Sequence, residues 1–239
     1  MHRFYAEKVL NGQAFLSQED ERHARRVLRL VPGSEAEIIF DGLRYQAMMR
    51  NDSVFELGHV LPSTEASLRI TLFQGLPKGD KMDFIVQKAV EIGVDRIVPV
   101  LMERCVVRLS ASDLEKKQAR WTRIAREAGK QSGRCLLPEV TLPCQLRGIP
   151  ALAEKLDACA VPWEEETAMG PLAFCSAHPK LSSLGILIGP EGGISPEEIM
   201  LIRPCFEPLT LGPRILRTET AGLVAASVFL SAFGEMEGC

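Results

Sequence analysis

A strand, a glycine-rich loop and the start of a helix follow one another in one short segment, and this succession constrains the fold most. Residues 184–188 read Leu-Gly-Ile-Leu-Ile, which is typical of a strand buried on both faces. The loop at 189–193 reads Gly-Pro-Glu-Gly-Gly, and Ser195, Pro196 and Glu198 then form a capping box with proline in the first turn. The loop predicts a ligand site because glycines let a ligand approach the backbone. A structural tight turn is the alternative interpretation.

Strands and helices alternate through the C-terminal part of the chain, as expected of an α/β domain with a parallel sheet. The predicted strands are residues 69–74, 96–101, 157–161, 184–188 and 209–211, and the predicted helices are 81–92, 112–130 and those that begin at 196 and 218. General rules of chain connection predict an ordinary doubly wound sheet for this pattern.

The first 65 residues have the pattern of a small, mostly β module. Its predicted elements are strands at 37–40, 43–48 and 54–57 and a helix from Ser17 with apolar side chains at Ala24, Val27, Leu28 and Leu30. Asp41 and Gly42 form the two-residue turn of a hairpin, and Pro32 and Gly33 end the helix. We expect one domain at 1–67 and a second at 68–239.

A second candidate site lies at 211–221, between a predicted strand end and a helix start, where open α/β sheets bind ligands. Two arginines, Arg214 and Arg217, stand there in an otherwise apolar stretch and are followed by Glu219. A threonine on either side of Glu219 is predicted to cap the helix, and capping is the alternative to a functional role for this segment.

The chemistry of the two loops excludes the common phosphate cradles. Neither loop matches the dinucleotide fingerprint or the P-loop. Glu191 would repel a phosphate, whereas its carboxylate can accept hydrogen bonds from hydroxyl or amino groups or attract a cation such as a sulfonium. The glycine loop therefore predicts a ligand that carries hydroxyl or amino groups or a positive charge.

Basic residues concentrate in one stretch of a chain whose formal net charge is -3. Nine basic residues stand there against three acidic ones, which predicts a local phosphate-binding patch. The nine are Arg104, Arg108, Lys116, Lys117, Arg120, Arg123, Arg126, Lys130 and Arg134. Trp121 within the stretch is predicted to be buried, with base stacking as the alternative. The arginines of the first helix form either a solvated face or an RNA-facing stripe, and they are Arg22, Arg25, Arg26 and Arg29.

Several classes of protein are disfavoured. The seven cysteines are odd in number and unpaired in spacing, so we expect free thiols in a reducing compartment and no metal site. The N-terminus lacks a signal-peptide pattern, and the apolar run 221–233 is shorter than the roughly 18 residues that span a bilayer, so a soluble cytoplasmic protein is expected. No Ser–His–Asp order or nucleophile elbow indicates a hydrolase.

Taken together, these segments resemble the RsmE family of small-subunit ribosomal RNA methyltransferases, of the SPOUT class, over essentially the whole chain. Beside the two loops, the matching motifs are His2-Arg3-Phe4-Tyr5, His23-Ala24-Arg25-Arg26-Val27-Leu28-Arg29, Lys78-Gly79-Asp80-Lys81-Met82, Gln87-Lys88-Ala89-Val90-Glu91-Ile92-Gly93 and Gln131-Ser132-Gly133-Arg134. Several motifs in the right order are more specific than either loop alone.

The resemblance implies an N-terminal PUA-like β-barrel that binds RNA and a C-terminal SPOUT α/β knot, a trefoil-knotted parallel sheet that binds S-adenosyl-L-methionine. The implied cofactor-binding residues are Pro162, Trp163, Ile188, Gly189, Pro190, Glu191, Gly192, Leu211, Gly212, Ile215, Leu216 and Ala221. The implied RNA-binding residues are Arg3, Arg26, Arg29, Lys78, Lys81, Arg123, Lys130 and Arg134. The family acts as a homodimer, and the apolar stretch 221–233 is compatible with a helix partly buried against a partner.

The implied reaction is methylation of N3 of a specific uridine near the decoding site of 16S rRNA, on free RNA or the assembled small subunit. We expect Arg217, with Arg214, to stabilise the negative charge on the uracil, and Glu219 or Thr218 to assist proton removal. A related knotted enzyme that methylates a ribose 2'-hydroxyl or a transfer RNA is one rival. A catalytically silent ribosome-assembly factor is the other.

Overall fold

The computed structural model describes residues 1–50, 53–106 and 110–237 and forms two compact units. One unit contains residues 1–65 and 129–137, and the other contains 66–128 and 138–239. The sequence did not predict that residues 129–137 join the first unit. Of the residues discussed above, Arg108 and Cys239 lie outside the described residues.

The N-terminal unit is a closed five-stranded barrel with the order β1-β2-β5-β4-β3. Its strands are β1 (His2–Leu10), β2 (Gln13–Leu16), β3 (Glu35–Phe40), β4 (Leu43–Met49) and β5 (Phe55–Leu61). A parallel pairing of β1 with β3 closes it. Asp41 and Gly42 have φ angles of 49° and 73°, as the predicted hairpin turn requires. The predicted β module is thus confirmed.

The first helix is shorter than predicted. Helix α1 (Gln18–Arg22) begins at Ser17, whose side chain accepts a hydrogen bond from the Asp20 N–H, and a single π-helical turn (His23–Val27) then ends it. The helix therefore stops before Pro32 and Gly33. Val27 is 65% exposed, so its predicted place on the apolar face is wrong. The π turn accounts for this, because i→i+5 hydrogen bonding within His23–Val27 changes the angle between successive side chains around the helix axis.

The C-terminal unit contains a seven-stranded sheet in which every described pairing is parallel. The order is β12-β10-β11-β6-β7-β8, and β9 also pairs with β7. The strands are β6 (Arg69–Gly75), β7 (Arg96–Leu101), β8 (Glu139–Val140), β9 (Cys144–Gln145), β10 (Ala158–Pro162), β11 (Ser183–Ile188) and β12 (Glu207–Leu209). The α/β prediction is confirmed, and the trefoil knot stays a prediction.

Successive side chains of the central strands enter two different apolar clusters, because a strand points alternate residues to opposite faces. Ile186 of β11 belongs to one cluster and Leu187 to the other. The remaining α-helices are α2 (Lys81–Ile92), α3 (Ala111–Ser132), α4 (Pro150–Ala153), α5 (Pro171–Ala177), α6 (Pro196–Ile202) and α7 (Thr218–Ala232), and a 3₁₀ helix spans Leu146–Gly148. Helices α2 and α7 cover the first cluster, and α6 covers the second. In the described ranges, none of the helices has the length and apolarity to cross a membrane.

One predicted strand is misplaced. The last strand is Glu207–Leu209 and not 209–211, so Thr210 and Leu211 already belong to the loop that follows it. Leu209, Thr210 and Leu211 alternate apolar and polar residues as a strand does. Leu211 is nevertheless in the loop, where its side chain packs against the core. This shift lengthens the loop that borders the candidate site.

Candidate functional site

Three loops lie together at the carboxyl ends of β12, β10 and β11, which are neighbours in the sheet. Between the loops are two adjoining cavities of about 490 and 520 Å³. Both volumes fall within the roughly 300–1,000 Å³ that is usual for sites of small molecules and cofactors. The residues that line both cavities are Pro162, Glu164, Ile215, Leu216 and Ala221. The sheet order explains the site, since ligands of open α/β sheets bind beyond the carboxyl ends of the strands.

All the residues predicted to bind a cofactor line these cavities. Trp163, Leu211 and Gly212 line only the first cavity. The second is lined by the end of β11 and the glycine loop, with Ile188, Gly189, Pro190, Glu191 and Gly192. The structure therefore brings together residues that lie far apart in the sequence, and their contact with a cofactor stays a prediction.

The glycine loop 189–193 is held from outside by three other segments. The Thr218 hydroxyl donates to the Gly189 carbonyl at 2.7 Å, and Arg104 Nη1 donates to the Gly192 carbonyl at 3.0 Å. The backbone N–H of Lys78 donates to Glu191 Oε1 at 3.1 Å. The contact of Arg104 with the glycine loop was not predicted from the sequence, where Arg104 was only one of the nine residues of the basic stretch.

Lys81 joins two carboxylates at the rim of the second cavity. Its Nζ lies 3.0 Å from Glu191 Oε1 and 3.1 Å from Glu219 Oε2. Hydrogen bonds to Glu191 and then Glu219 raise the pKa of Lys81. Burial alone would raise the pKa of Glu191, but Lys81 and backbone N–H groups lower it overall. The pKa of Glu219 is lowered by its own backbone N–H and by Lys81. All three groups are therefore charged near neutral pH.

The two arginines of the third loop are exposed at the cavities. Arg214 lines the first cavity and Arg217 the second, and within the described part of the chain neither forms an ion pair. Ile215 between them is 90% exposed. A cationic side chain without a carboxylate partner is available to an anionic group of a ligand.

The predicted threonine cap of α7 is wrong. The N-cap residue is Arg217, and it makes no side-chain capping hydrogen bond. Thr218 is buried, and its hydroxyl accepts from Gln74 Nε2 at 2.9 Å while it donates to Gly189. Thr220 is exposed in the first turn of the helix. The propensity of threonine for caps was outweighed here by a contact with the neighbouring loop.

The residues predicted to bind RNA fall into two groups. Arg26, Arg29, Lys78 and Arg123 are exposed. The others have carboxylate partners, and these pairs are Arg3 with Glu37, Lys81 with Glu191 and Glu219, Lys130 with Asp20, and Arg134 with Glu65. Arg134 is only 5% exposed, so burial in the N-terminal unit removes it from an RNA-facing surface. Trp121 is 2% exposed and donates to Asp83, which excludes base stacking and confirms its predicted burial.

Among the described residues, no group of three or more His, Cys, Asp or Glu side chains could hold a metal ion. The cysteines that the structure describes are free. His178 Nε2 lies 2.7 Å from Glu207 Oε1.

Comparison with known proteins gives the family. The RNA methyltransferase domain matches residues 64–230. Ribosomal RNA small subunit methyltransferase E of Aquifex aeolicus is 31% identical over 97% of this chain and 100% of its own length. The Bacillus subtilis protein of the same name is 40% identical over 68% of this chain and 66% of its own. A crystal structure of the Neisseria gonorrhoeae protein of that name, bound to S-adenosyl methionine, has a TM-score of 0.83 at 32% identity and covers 97% of both chains. The chain therefore belongs to the RNA methyltransferase family and, within it, to the ribosomal RNA small subunit methyltransferases E.

Proposed function

We propose that this protein transfers a methyl group from S-adenosyl-L-methionine to N3 of a specific uridine near the decoding site of 16S rRNA. One observation carries the proposal: three loops at neighbouring strand ends enclose two adjoining cavities that all the predicted cofactor residues line. The Neisseria gonorrhoeae relative, whose fold is closely similar, binds S-adenosyl methionine. We place the protein in the cytoplasm, where its rRNA substrate is made.

The residues present fit this cofactor. Trp163, Leu211 and Leu216 offer apolar surface to an adenine ring, and the glycines at 189 and 192 leave the backbone open to close approach. The Glu164 carboxylate lines both cavities and suits a cationic ligand. When bound, S-adenosylmethionine supplies a methyl group on a positively charged sulfur.

The reaction requires a negative charge to be stabilised on the uracil. N3 carries a weakly acidic imide proton, which passes to water. The electron pair left on N3 would then form the bond to the methyl carbon of the cofactor, and the electron pair of the broken carbon–sulfur bond would stay on sulfur. Arg217, with Arg214, stabilises the uracil anion in advance of the transfer, as preorganised cations do at oxyanions. Because N3 lies on the pairing edge of the base, the uridine must be unpaired or flipped out.

Glu219 and Thr218 position neighbouring residues of this site, through the ion pair with Lys81 and the hydrogen bond to Gly189. The pKa of Glu219 is lowered and its carboxylate is paired with Lys81, which makes it a weak acceptor for the imide proton. The single proton of the Thr218 hydroxyl is donated to Gly189. We therefore assign positioning roles to both residues in place of a role in proton removal.

Exposed basic side chains provide contacts to the RNA backbone. Arg26 and Arg29 offer them on the N-terminal unit, and Lys78 and Arg123 on the C-terminal unit. Each phosphate contact lowers the salt tolerance of binding, because counterions are released. The substrate is the rRNA, free or in the assembled small subunit.

The active protein is a homodimer in this proposal. Helix α7 carries apolar side chains that are only half-buried, which are Leu223, Val224 and Val228. Such a helix is compatible with partial burial against a second copy of the chain, and sedimentation of the purified protein measures it.

The test is to incubate unmethylated small subunits with labelled S-adenosylmethionine and to map the modified nucleoside by mass spectrometry. We expect 3-methyluridine at one position. Label on a ribose or on transfer RNA would favour the related knotted enzymes. Absence of label together with absence of cofactor binding in calorimetry would favour a silent assembly factor.

The role of Arg217 has its own test. Arg217→Ala is expected to lower kcat by about 100-fold or more while cofactor binding stays near normal, because it removes one preorganised cation from the reacting base. Arg147 is an exposed arginine of the same unit that lines neither cavity, so Arg147→Ala is the control and keeps wild-type turnover. Near-normal turnover of Arg217→Ala would remove this residue from the mechanism.

A further inference from the structure

Gln74 lies beneath the candidate site and connects three of its segments. It is the penultimate residue of β6 and is fully buried. Its Nε2 donates to the Gly75 carbonyl at 3.1 Å and to the Thr218 hydroxyl at 2.9 Å. The Thr218 hydroxyl in turn donates to the Gly189 carbonyl at 2.7 Å. One buried amide thus connects the end of β6, the first residue of α7 and the start of the glycine loop.

The direction of these hydrogen bonds is fixed by the Gly75 carbonyl. A carbonyl only accepts, so the NH₂ end of the Gln74 amide must face it. The same NH₂ group then donates to the Thr218 hydroxyl, which has a single proton of its own. That proton is consequently directed to the Gly189 carbonyl.

The other end of the amide indicates why a glutamine is present. Gln74 Oε1 is buried and has no hydrogen-bond partner within the described part of the chain. It faces α7, where a Cβ built on Gly222 would lie 3.4 Å away. A buried acceptor without a partner is unfavourable, and an apolar side chain of similar size would avoid that cost. The two hydrogen bonds that the NH₂ group donates therefore explain the glutamine, because an apolar side chain could not make them.

We propose that Gln74 is a positioning residue of the methyl-transfer site. It fixes the glycine loop relative to the loop of Arg214 and Arg217, here called the arginine loop, through the Thr218 hydroxyl. The inference rests on the proposed function. Thr218 directly follows Arg217, and Gly189 begins the loop that lines the second cavity. Loss of the directed hydroxyl frees both segments at once. The cofactor, which needs both loops, is then bound more weakly, whereas RNA contacts elsewhere on the surface are unchanged.

Two substitutions of conserved shape test the direction of the hydrogen bonds. Gln74→Glu replaces the NH₂ group, which has two protons to donate, by a carboxyl oxygen. A buried carboxyl without a cationic partner is neutral and has one proton, so it cannot donate to both the Gly75 carbonyl and the Thr218 hydroxyl. Thr218→Val keeps the side-chain shape and removes the hydroxyl. In calorimetry, each is expected to raise the Kd for S-adenosylmethionine about tenfold, the effect of one lost hydrogen bond. Thr218→Ser keeps the hydroxyl and should restore wild-type binding.

A matched control separates positioning from general destabilisation. Gln118 is a partly buried glutamine of the same unit, and its Nε2 donates to the Val140 carbonyl at 2.9 Å, away from the cavities. Gln118→Glu is expected to leave the Kd for the cofactor unchanged. Steady-state kinetics should show a raised KM for S-adenosylmethionine in Gln74→Glu and an unchanged KM for the small subunit.

The outcomes are distinguishable. If the wild-type protein neither binds the cofactor nor methylates the subunit, the proposed function fails, whatever the variants do. If the wild type is active and Gln74→Glu and Thr218→Val both bind the cofactor as tightly, the positioning role is wrong. An equal rise of Kd in Gln118→Glu would also overturn it, because the effect would then be general. Should Gln74→Glu not fold, Thr218→Val and Thr218→Ser decide the question alone.

Discussion

Gly75 shows how a single residue sets the spacing of the site. It ends β6 directly against the glycine loop, and a Cβ built on it would lie 2.7 Å from the backbone nitrogen of Pro190. Backbone atoms cannot move aside as a flexible side chain does. Gly222 in α7 is tight in the same sense, since a Cβ there would meet Leu72 at 3.2 Å and Ile188 at 3.3 Å. This packing accounts for a glycine at a position where a better helix former is usual.

Gly75→Ala is expected to destabilise the C-terminal unit by about 1–3 kcal/mol, the usual cost of overpacking a tight site. It should also weaken S-adenosylmethionine binding, because the displaced Pro190 lines the second cavity. Urea unfolding followed by tryptophan fluorescence measures the first effect, and calorimetry the second. Gly148→Ala is the control, since a Cβ at Gly148 meets nothing within 4 Å. Equal stability of the two variants would show that the loop yields without cost.

At the scale of elements, α6 illustrates how a helix start holds a loop. The Ser195 hydroxyl accepts from the Glu198 N–H, and the Glu198 carboxylate accepts from the Ser195 N–H, so the predicted capping box is confirmed. The box also reaches the loop after β7. Ser195 Oγ donates to Glu103 Oε2 at 2.7 Å, and the Glu103 N–H donates to Glu198 Oε1 at 2.7 Å. The helix start thereby anchors the end of the glycine loop.

Ser195→Ala is expected to lower the free energy of unfolding of the C-terminal unit by about 1–2 kcal/mol, because an N-cap hydrogen bond is lost. Ser176 offers a matched control in α5, where its exposed hydroxyl donates to the Leu172 carbonyl of the same helix. Ser176→Ala should be neutral or slightly stabilising, since alanine is the better helix former. Urea titrations of both variants give the comparison, and a Ser195→Ala midpoint equal to that of Ser176→Ala would contradict the anchoring role.

Elements with strong local signals were predicted, and weakly marked ones were not. The spacing of the apolar residues predicted the bounds of α2 correctly, because a periodic apolar face is a local property. The hairpin of β1 and β2 was missed, although its Asn11 and Gly12 turn carries a recognisable signal, with φ angles of 51° and 76°. The short strands β8 and β9 have no such signal, because their pairing with β7 comes from tertiary contacts.

The candidate site also has parts that were predicted and parts that were not. The glycine loop and the arginine loop were recognisable from their composition, and the structure places them around shared cavities. The roles of Gln74 and Thr218 were not recognisable from the sequence, because the residue type does not show which groups a buried side chain contacts. Their hydrogen bond joins residues 144 positions apart.

At the scale of the whole molecule, the N-terminal unit is assembled from two distant parts of the chain. The Tyr5 hydroxyl donates to the Arg134 carbonyl at 2.9 Å, and burial raises the pKa of Tyr5. The Glu65 carboxylate accepts from Arg134 Nε at 2.8 Å and from the backbone N–H of Leu136 at 3.1 Å. Residues 129–137 are thus an integral part of this unit, and no local pattern announces contacts across such a separation.

Glu65→Gln is therefore expected to destabilise the N-terminal unit by about 1–3 kcal/mol at neutral pH, because it replaces the charged acceptor of the buried Arg134 guanidinium by a neutral one. The side chains of Arg134 and Glu65 are 6% and 10% exposed. Burial alone would raise the pKa of Glu65, but the Arg134 hydrogen bond and charge and the backbone N–H groups of Leu136 and Cys135 lower it overall. A lowered pKa means that the stabilisation is present above the ordinary value of 4.5 and is lost as pH falls through the folded-state value.

The difference in unfolding free energy between wild type and Glu65→Gln should consequently be largest at pH 7. It should decrease below pH 4.5, because the wild-type carboxylate is then protonated. Hydrogen exchange of the β3 amides reports on this unit alone, since its unfolding need not coincide with that of the other. Glu56→Gln is the control: Glu56 pairs with Arg50 at the surface of the same barrel, where the two side chains are 50% and 57% exposed, so its loss should cost at most about 1 kcal/mol. If both variants exchanged alike, or if the difference for Glu65→Gln did not change between pH 7 and low pH, residues 129–137 would not depend on this carboxylate for their place in the barrel unit.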